Sequence, residues 1–370
     1  MRDINLADEQ LQATLAARGP FVSLYLNTEV ANQNAPREIH LRWRGLREQA
    51  ESLGASSRAM EAIDELVDDS HQSGKGLVVV TAADEVVYRR HLGARPVDDF
   101  VRVEALPHLL PLIEWRQENP SHGVLLAYGG GAEIYAGAGE ALDQGVSVKG
   151  SAGDHVERTA SGGSEANLQH RAEHLAEENA QEVAAELARV VSSHGLEVVL
   201  VAGEEQALSV LRKHLPESLS DNLVDVGDHA HRGASLEGLR EPLDLGLAGY
   251  AAGTTQEVVG TFLEERAQGD QAAETAGRTI DALRKAQVDT LLIARKPDDR
   301  RAWFSTQEPT QAAMDKSVLA DLGLAGISEG PLSDVLVRSA YATGAKVRVI
   351  PELARELGPA EGIGAILRYA

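Results

Sequence analysis

Stretches with the pattern of buried β-strands alternate with helical patterns along the whole chain. The segments 21–26 and 76–81 are rich in β-branched and aromatic residues, and a helical pattern over 36–52 lies between them. The same alternation returns in 196–214 and in 288–350. Such alternation is typical of proteins in which helices cover the faces of β-sheets. We therefore predict an α/β fold class.

The length and two breaks in the pattern predict the domain organisation. A chain of 370 residues is long enough for two or three domains of about 100–200 residues each. The alternation is interrupted at Gln-Glu-Asn-Pro-Ser, residues 117–121, and again in a loop-rich stretch that ends near Leu247. Helical patterns over 254–268 and 271–287 then open the last segment. We predict three α/β domains, which comprise residues 1–120, 121–247 and 248–370, the last an α/β/α sandwich.

Composition excludes several classes of function. The chain has no cysteine, so disulfides, a thiolate nucleophile, cysteine-ligated zinc and iron–sulfur clusters are excluded. A formal net charge of −22 opposes nonspecific binding to DNA, and 4% aromatic residues argue against a groove that stacks bases. The acidic N-terminus lacks the apolar run of a signal peptide, and no apolar stretch approaches the ~20 residues of a membrane span. We predict a cytoplasmic protein that binds neither DNA nor membrane.

A polar loop over 149–164 leads directly into a long helical pattern without Gly or Pro over 165–193. Near its end, Gly162 and Gly163 lack a Cβ atom and permit close approach of the backbone to another surface. The loop is longer than a connection needs, which favours a functional role. Alternatively, Ser161 or Ser164 caps the helix and the glycines only supply conformational freedom.

One helical pattern carries the densest basic cluster in an acidic segment. The cluster comprises Arg37, His40, Arg42, Arg44 and Arg47. Most of these positions fall on one helical face, so one interpretation is a patch that binds RNA phosphates. The alternative is a solvated helix face on which Glu38 and Glu48 pair with the cations.

Two groups of histidines suggest metal ligands, but neither pattern is specific. His170, Glu173 and His174 match the H-x-x-E-H pattern of some zinc peptidases, yet they lie in a helix rich in solvated Glu and Gln. Asp228, His229 and His231 lie in a loop with no fixed relation to that helix. Sequence signatures of nucleotide-binding loops and of serine hydrolases are absent from the chain. We predict no catalytic residue, no metal site and no cofactor.

Three stretches carry a resemblance to a known superfamily. The ending Glu-Gly-Ile-Gly-Ala-Ile-Leu-Arg-Tyr, residues 361–369, resembles the end of the third domain of archaeal and eukaryotic class I release factors and Pelota. Residues 279–294 are similar to a helix and strand of the same domain. The hairpin, loop and long helix over 122–193 resemble the middle domain of that superfamily.

The resemblance implies an architecture and a set of contacts. Three domains would be arranged as in class I release factors and Pelota, and the last would be similar to the ribosomal protein L7Ae-like fold. Residues 1–120 would face the decoding site, 121–247 the peptidyl-transferase centre, and 248–370 the factor-binding side. Contacts with ribosomal RNA are implied for the loop residues His155, Arg158, Gly162, Gly163 and Ser164, and for the basic cluster at the decoding site.

Departures from the superfamily narrow the implied function. Ser164 stands where release factors carry the glutamine of Gly-Gly-Gln, and a hydroxyl cannot replace an amide as donor and acceptor. The first segment also lacks the Asn-Ile-Lys-Ser type of stop-codon loop. The chain therefore resembles Balon-type hibernation factors, tRNA mimics that occupy the vacant A site of idle 70S ribosomes under stress without hydrolysing peptidyl-tRNA. The resemblance also admits a translational GTPase partner such as the elongation factor Tu. Two alternatives stay open, namely a release-factor-like peptidyl-tRNA hydrolase and a Pelota-like rescue adaptor for stalled ribosomes.

Overall fold

The computed structural model divides the chain into two compact units. Met1–Gln117 and Thr254–Ala370 together form one of them, here the outer unit, and Glu118–Gly253 forms the middle unit. The structure describes residues 9–29, 35–69, 74–93, 96, 98–129, 131–137, 143–149, 165–227, 236–269, 271–295, 300–351 and 358–369.

The N-terminal segment of the outer unit folds around an antiparallel sheet. Its elements are α1 (Glu9–Ala16), β1 (Phe21–Asn27), α2 (Ala35–Ser52), α3 (Ser57–Asp69), β2 (Gly76–Ala82), β3 (Glu85–Leu92), β4 (Phe100–Glu104) and α4 (Leu110–Glu118). The strand order is β3-β2-β1-β4, with Leu24 opposite Val79 on one side and Val101 on the other. Helices α2 and α3 pack on one face, where Ile39, Trp43 and Ile63 are buried.

The middle unit is a mixed five-stranded sheet with helices. Its elements are β5 (His122–Tyr128), β6 (Gly131–Gly137), β7 (Asp143–Lys149), α5 (Glu165–His194), β8 (Val198–Gly203), α6 (Glu205–His214), α7 (Glu217–Ser220), β9 (Leu223–Gly227) and the start of α8 (Arg240–Gln268). The strand order is β7-β6-β5-β8-β9, and β5, β8 and β9 are parallel. Helix α5 packs its C-terminal half on this sheet through Val183, Leu187 and Val190.

The C-terminal segment completes the outer unit. Its further elements are β10 (Ala272–Glu274), α9 (Ala276–Arg284), β11 (Val288–Ala294), β12 (Arg301–Ser305), β13 (Ala312–Ala313), α10 (Lys316–Asp321), β14 (Ile327–Pro331), α11 (Leu332–Ala342), β15 (Lys346–Ile350) and β16 (Ile363–Leu367). They build a four-stranded sheet in the order β10-β16-β11-β15 and a three-stranded sheet in the order β13-β12-β14.

The two segments of the outer unit share one hydrophobic core. Leu109, Leu110 and Ile113, at the start of α4, belong to the same buried cluster as Val335 and Val349 from the C-terminal segment. The α/β prediction is confirmed, because helices pack on sheets in both units. The division into three domains stays a prediction, since its first and last segments lie in one compact unit.

Two local predictions were wrong. Helix α8 runs from Arg240 through Leu247, where the sequence predicted a loop-rich stretch. A Cβ atom on Gly246 would lie 2.6 Å from a methyl carbon of Val226, so this glycine allows the helix to approach strand β9 closely. The helix predicted over 271–287 is also shorter, because Ala272–Glu274 instead pairs with β16 as strand β10. Among the described helices, none is both long and apolar enough to cross a bilayer.

Candidate functional site

Helix α2 carries the basic cluster predicted from the sequence. Ile39, Trp43 and Ala50 recur at helical spacing and are buried against the sheet and α3. The charged residues therefore occupy the remaining faces of the helix. Some of these basic side chains form ion pairs and hydrogen bonds within the unit, and others are exposed to solvent.

Arg47 is held by two carboxylates. Its guanidinium donates to Asp64 Oδ2 at 2.7 Å and to Glu51 Oε1 at 3.1 Å. The other oxygen of Asp64 accepts the indole N–H of Trp43 at 2.7 Å. Asp64 thus joins α3 to two residues of α2, and the charge of Arg47 is matched within the unit.

Arg42 is held at the end of strand β1. It donates to the carbonyl oxygen of Asn27 at 2.8 Å, and its Nε lies 3.6 Å from Asp99. Asp99 also accepts the backbone N–H of Asn27. Arg42 therefore secures the end of β1.

The remaining three members of the cluster face solvent. His40 lies 3.6 Å from Asp68, and both side chains are largely exposed. Arg37 and Arg44 are exposed, and no ion pair joins either of them to another described residue. Glu38 and Glu48, the partners suggested by the sequence, form none of the pairs found here. Two of the five cations, on one face of α2, are thus free to meet an external phosphate.

The other predicted contacts lie outside the described residues. His155, Arg158, Gly162, Gly163 and Ser164 all fall between strand β7 and helix α5. The described part of α5 nearest to them is polar, because His170, His174 and Glu177 are exposed. Among the α5 residues whose burial is described, Asn179 is the first buried one, and burial continues in the second half of the helix. His170, His174 and Glu177 thus face solvent.

The histidines of α5 are paired with glutamates. His170 Nδ1 lies 3.7 Å from Glu173, and His174 Nδ1 lies 3.4 Å from Glu178, with all four side chains at least half exposed. Within the described ranges, no group of three His, Asp or Glu residues could hold a metal ion. Asp228, His229 and His231 lie outside those ranges.

The middle unit has a cavity at the carboxyl ends of β5 and β8. It has a volume of about 200 Å³, and its lining includes Tyr128, Ala180 and Glu204. Glu204 Oε2 accepts the backbone N–H of Gly129 at 3.1 Å. Asn179 also lines the cavity, is 6% exposed, and has no hydrogen-bond partner for its Oδ1 among the described residues. This polar group was not predicted, since nothing in a helical pattern distinguishes it from its solvated neighbours.

Sequence reasoning also missed the polar contacts that join the two segments of the outer unit. His108 Nδ1 lies 2.8 Å from Asp334 Oδ1, and both side chains are buried. The amide of Gln117 accepts the N–H of Val349 at 2.8 Å and donates to its carbonyl oxygen at 3.2 Å. Partners more than 200 positions apart leave no local signal in the sequence.

Comparison with known proteins supports the resemblance. Residues 128–268 match the family described as bacterial archaeo-eukaryotic release factor family 2. Two uncharacterised proteins of Mycobacterium tuberculosis are each 26% identical over 377 positions, which cover 99% of this chain and 97% of theirs.

Some solved structures also resemble the chain, with low scores. Saccharomyces cerevisiae Dom34, described as a translation termination-like factor, is 14% identical with a TM-score of 0.42 and covers 80% of this chain and 73% of its own. Archaeoglobus fulgidus Pelota is 16% identical with a TM-score of 0.32 and covers 80% and 79%. The family match rests on sequence rather than on these scores. The match of residues 128–268 to this bacterial release factor family confirms the predicted resemblance to the release factor and Pelota superfamily.

Proposed function

We propose that this protein is a tRNA-mimicking factor that binds the vacant A site of idle 70S ribosomes and protects them without hydrolysing peptidyl-tRNA. The family match over residues 128–268 supports this proposal, because that region includes 149–164, the segment that the resemblance aligns with the loop that release factors use at the peptidyl-transferase centre. The hibernation role itself comes from the resemblance to Balon-type factors.

The loop over 149–164 would enter the peptidyl-transferase centre. Gly162 and Gly163 allow close approach to ribosomal RNA, while His155 and Arg158 would contact phosphates or bases. Ser164 offers one hydroxyl where a release factor has an amide, so it cannot reproduce the amide's pair of hydrogen bonds. We therefore propose binding without catalysis.

At the decoding site, Arg37 and Arg44 would supply the phosphate contacts. Both are exposed on one face of α2 and unpaired with the described residues, whereas Arg42 and Arg47 are held by Asp99, Asp64 and Glu51. His40 lies on the same face and would add to the patch. Residues 248–370 would face the factor-binding side, where a translational GTPase such as the elongation factor Tu could deliver the protein.

The first experiment is co-sedimentation of the full chain with 70S ribosomes whose A site is empty or filled by tRNA. We expect binding to empty ribosomes and loss of binding when tRNA fills the site. Binding that prefers ribosomes stalled on a truncated message would support a rescue adaptor instead. Release of the peptide from peptidyl-tRNA by the wild-type protein would establish a hydrolase.

Paired charge reversals test the basic patch. The double variant Arg37→Glu, Arg44→Glu should weaken ribosome binding, and the salt dependence should fall by about one unit of slope per lost phosphate contact. The matched control is Arg278→Glu, Lys285→Glu, which reverses two exposed cations of the C-terminal segment. Equal binding by both double variants would remove α2 from the interface.

A further inference from the structure

Arg338, in helix α11, is a buried cation whose contacts with the described residues are neutral. It is 8% exposed. One terminal nitrogen donates to the carbonyl oxygens of Ser305 at 3.0 Å and Pro309 at 3.5 Å, and the other to that of Thr306 at 3.5 Å. The guanidinium carbon lies 5.3 Å from the centre of the Phe304 ring. No acidic side chain of the described residues forms an ion pair with Arg338.

This arrangement leaves a desolvated charge without a counter-ion among the residues that the structure describes. Burial lowers the pKa of the Arg338 guanidinium, yet arginine stays protonated in proteins. Carbonyl dipoles and an aromatic face offset part of the lost hydration, but a full negative charge offsets more. The geometry therefore favours an anion near this side chain.

Arg338 lines a cleft large enough for a small molecule. The cleft has a volume of about 620 Å³ and is lined by both segments of the outer unit. Its walls include Arg18, Phe21, Leu106, Phe304, Thr306 and Ser328. The volume falls in the range of about 300–1,000 Å³ that small-molecule sites occupy.

The charge of the cleft is positive. Glu104 is the acidic residue in its lining, and both of its oxygens accept hydrogen bonds from Arg301 at 3.1 Å. That bidentate pair neutralises the carboxylate. Arg18 is exposed at the rim of the cleft. Arg18 and Arg338 therefore make the electrostatic potential inside the cleft positive.

We infer that this cleft is a binding site for a small organic anion, whose phosphate or carboxylate group meets Arg338 and whose apolar part packs against Phe21 and Phe304. The walls supply apolar and aromatic surface together with one buried cation, which is the combination such a ligand requires. This site is separate from the residues proposed to bind the ribosome.

Thermal denaturation of the full chain tests the inference, with inorganic phosphate, acetate and chloride compared at equal ionic strength. Because a ligand that binds only the folded state stabilises it by RT ln(1 + [L]/Kd), phosphate or acetate should raise Tm progressively with concentration, and chloride at the same ionic strength should not. A rise with phosphate alone indicates a phosphate ester as the ligand, and a rise with acetate alone indicates a carboxylate. Equal effects of all three salts overturn the inference.

Two variants link the response to Arg338. Arg338→Met should weaken the apparent affinity for the active anion roughly tenfold or more, since a charge-assisted hydrogen bond is lost. Ser328→Asp places a carboxylate in the cleft, so it should raise Tm without added anion and abolish the response. Arg278→Met, an exposed cation outside the cleft, is the control and should leave the response unchanged.

Ser328→Asp tests whether the anion binds in the cleft even if Arg338→Met fails to fold. An unchanged response in Ser328→Asp would show that Arg338 only fastens the 305–309 turn, and the inference would be wrong.

Discussion

The two units of this protein are held together in different ways. In the outer unit, polar contacts join residues that are 197 to 232 positions apart, as in Arg301–Glu104 and Gln117–Val349. In the middle unit, Arg212 pairs with Asp225 over 13 positions, and Gly129 reaches Glu204 over 75. The outer unit thus depends on polar pairs between its two distant segments, whereas contacts closer in sequence serve the middle unit.

The three tryptophans make this contrast measurable. Trp43, Trp115 and Trp303 all lie in the outer unit, and the chain has no others. Tryptophan fluorescence therefore reports unfolding of the outer unit, while far-UV circular dichroism reports both units. Changes in one unit can be assigned by comparing the two signals.

The largest effect is expected from His108→Ala. The variant leaves the carboxylate of Asp334, which is 2% exposed, without its imidazole partner. A buried polar group that loses its hydrogen-bond partner costs about 1–3 kcal/mol, and more for a carboxylate, so we expect a loss of about 3 kcal/mol in urea unfolding followed by fluorescence. His122→Ala in the middle unit is the control, because His122 is only partly buried and bonds to a nearby carbonyl. Equal urea midpoints for His108→Ala and His122→Ala, measured by fluorescence, would contradict the proposal that the two units are stabilised differently.

Gln117→Leu should have the next largest effect. The amide of Gln117 satisfies both backbone groups of Val349 on β15, the edge strand of its sheet. Without it, a buried N–H and a buried carbonyl lose their partner, which costs about 1–3 kcal/mol. Urea unfolding by fluorescence measures the loss. Gln49→Leu, at an exposed position of α2, should change stability by less than about 0.5 kcal/mol.

Alkaline pH should destabilise the outer unit first. Burial raises the pKa of the Tyr25 hydroxyl, which donates to the carbonyl oxygen of His108 at 2.8 Å, well above its ordinary value. Because the folded-state pKa lies above that of the unfolded chain, this contribution is complete below about pH 10 and is lost as the pH rises further. Tyr25→Phe should cost about 1 kcal/mol at neutral pH and reduce the alkaline loss. If Tyr25→Phe loses as much stability at alkaline pH as the wild type, other titrating groups cause that loss.

The smallest effect is expected in the middle unit, where one substitution should increase stability rather than decrease it. Asn179→Leu replaces a buried amide whose oxygen has no described partner, beside an apolar cavity of about 200 Å³. We expect a gain of about 1 kcal/mol, measured by circular dichroism, with fluorescence unchanged. A loss of stability would mean that the amide has a partner in solution, such as a bound water or ligand.

Local patterns explain what the sequence could predict. Strands β1, β2 and β11 are rich in apolar, aromatic and β-branched residues, and glycines lie between the paired strands β5 and β6, so their positions follow from neighbouring residues. Strand β10 could not be found in this way, because Ala-Ala-Glu favours a helix and only pairing with Ala365 on β16 makes it a strand. Helix α8 was missed near Leu247 because Gly246 serves close packing on strand β9 rather than a turn.

The candidate site, like the fold, could be predicted only where local sequence patterns determine it. Clustering in the sequence placed the basic residues on one helix, but it could not separate Arg47, which meets Asp64 on α3, from Arg44, which meets solvent. Arg338 gave no signal at all, because its importance comes from burial beside residues of both segments.

The discontinuous outer unit has a consequence for biosynthesis. Residues 118–253 are contiguous and can fold as soon as they leave the ribosome, whereas His108 must wait for Asp334, which follows 226 positions later. At about 5–20 residues per second, that interval lasts roughly 11–45 s. Throughout it, the nascent N-terminal segment exposes the apolar surface of Leu109 and Ile113 that the last third of the chain will cover. A chaperone that shields this surface during synthesis would therefore act on the N-terminal segment and leave the middle unit to fold unaided.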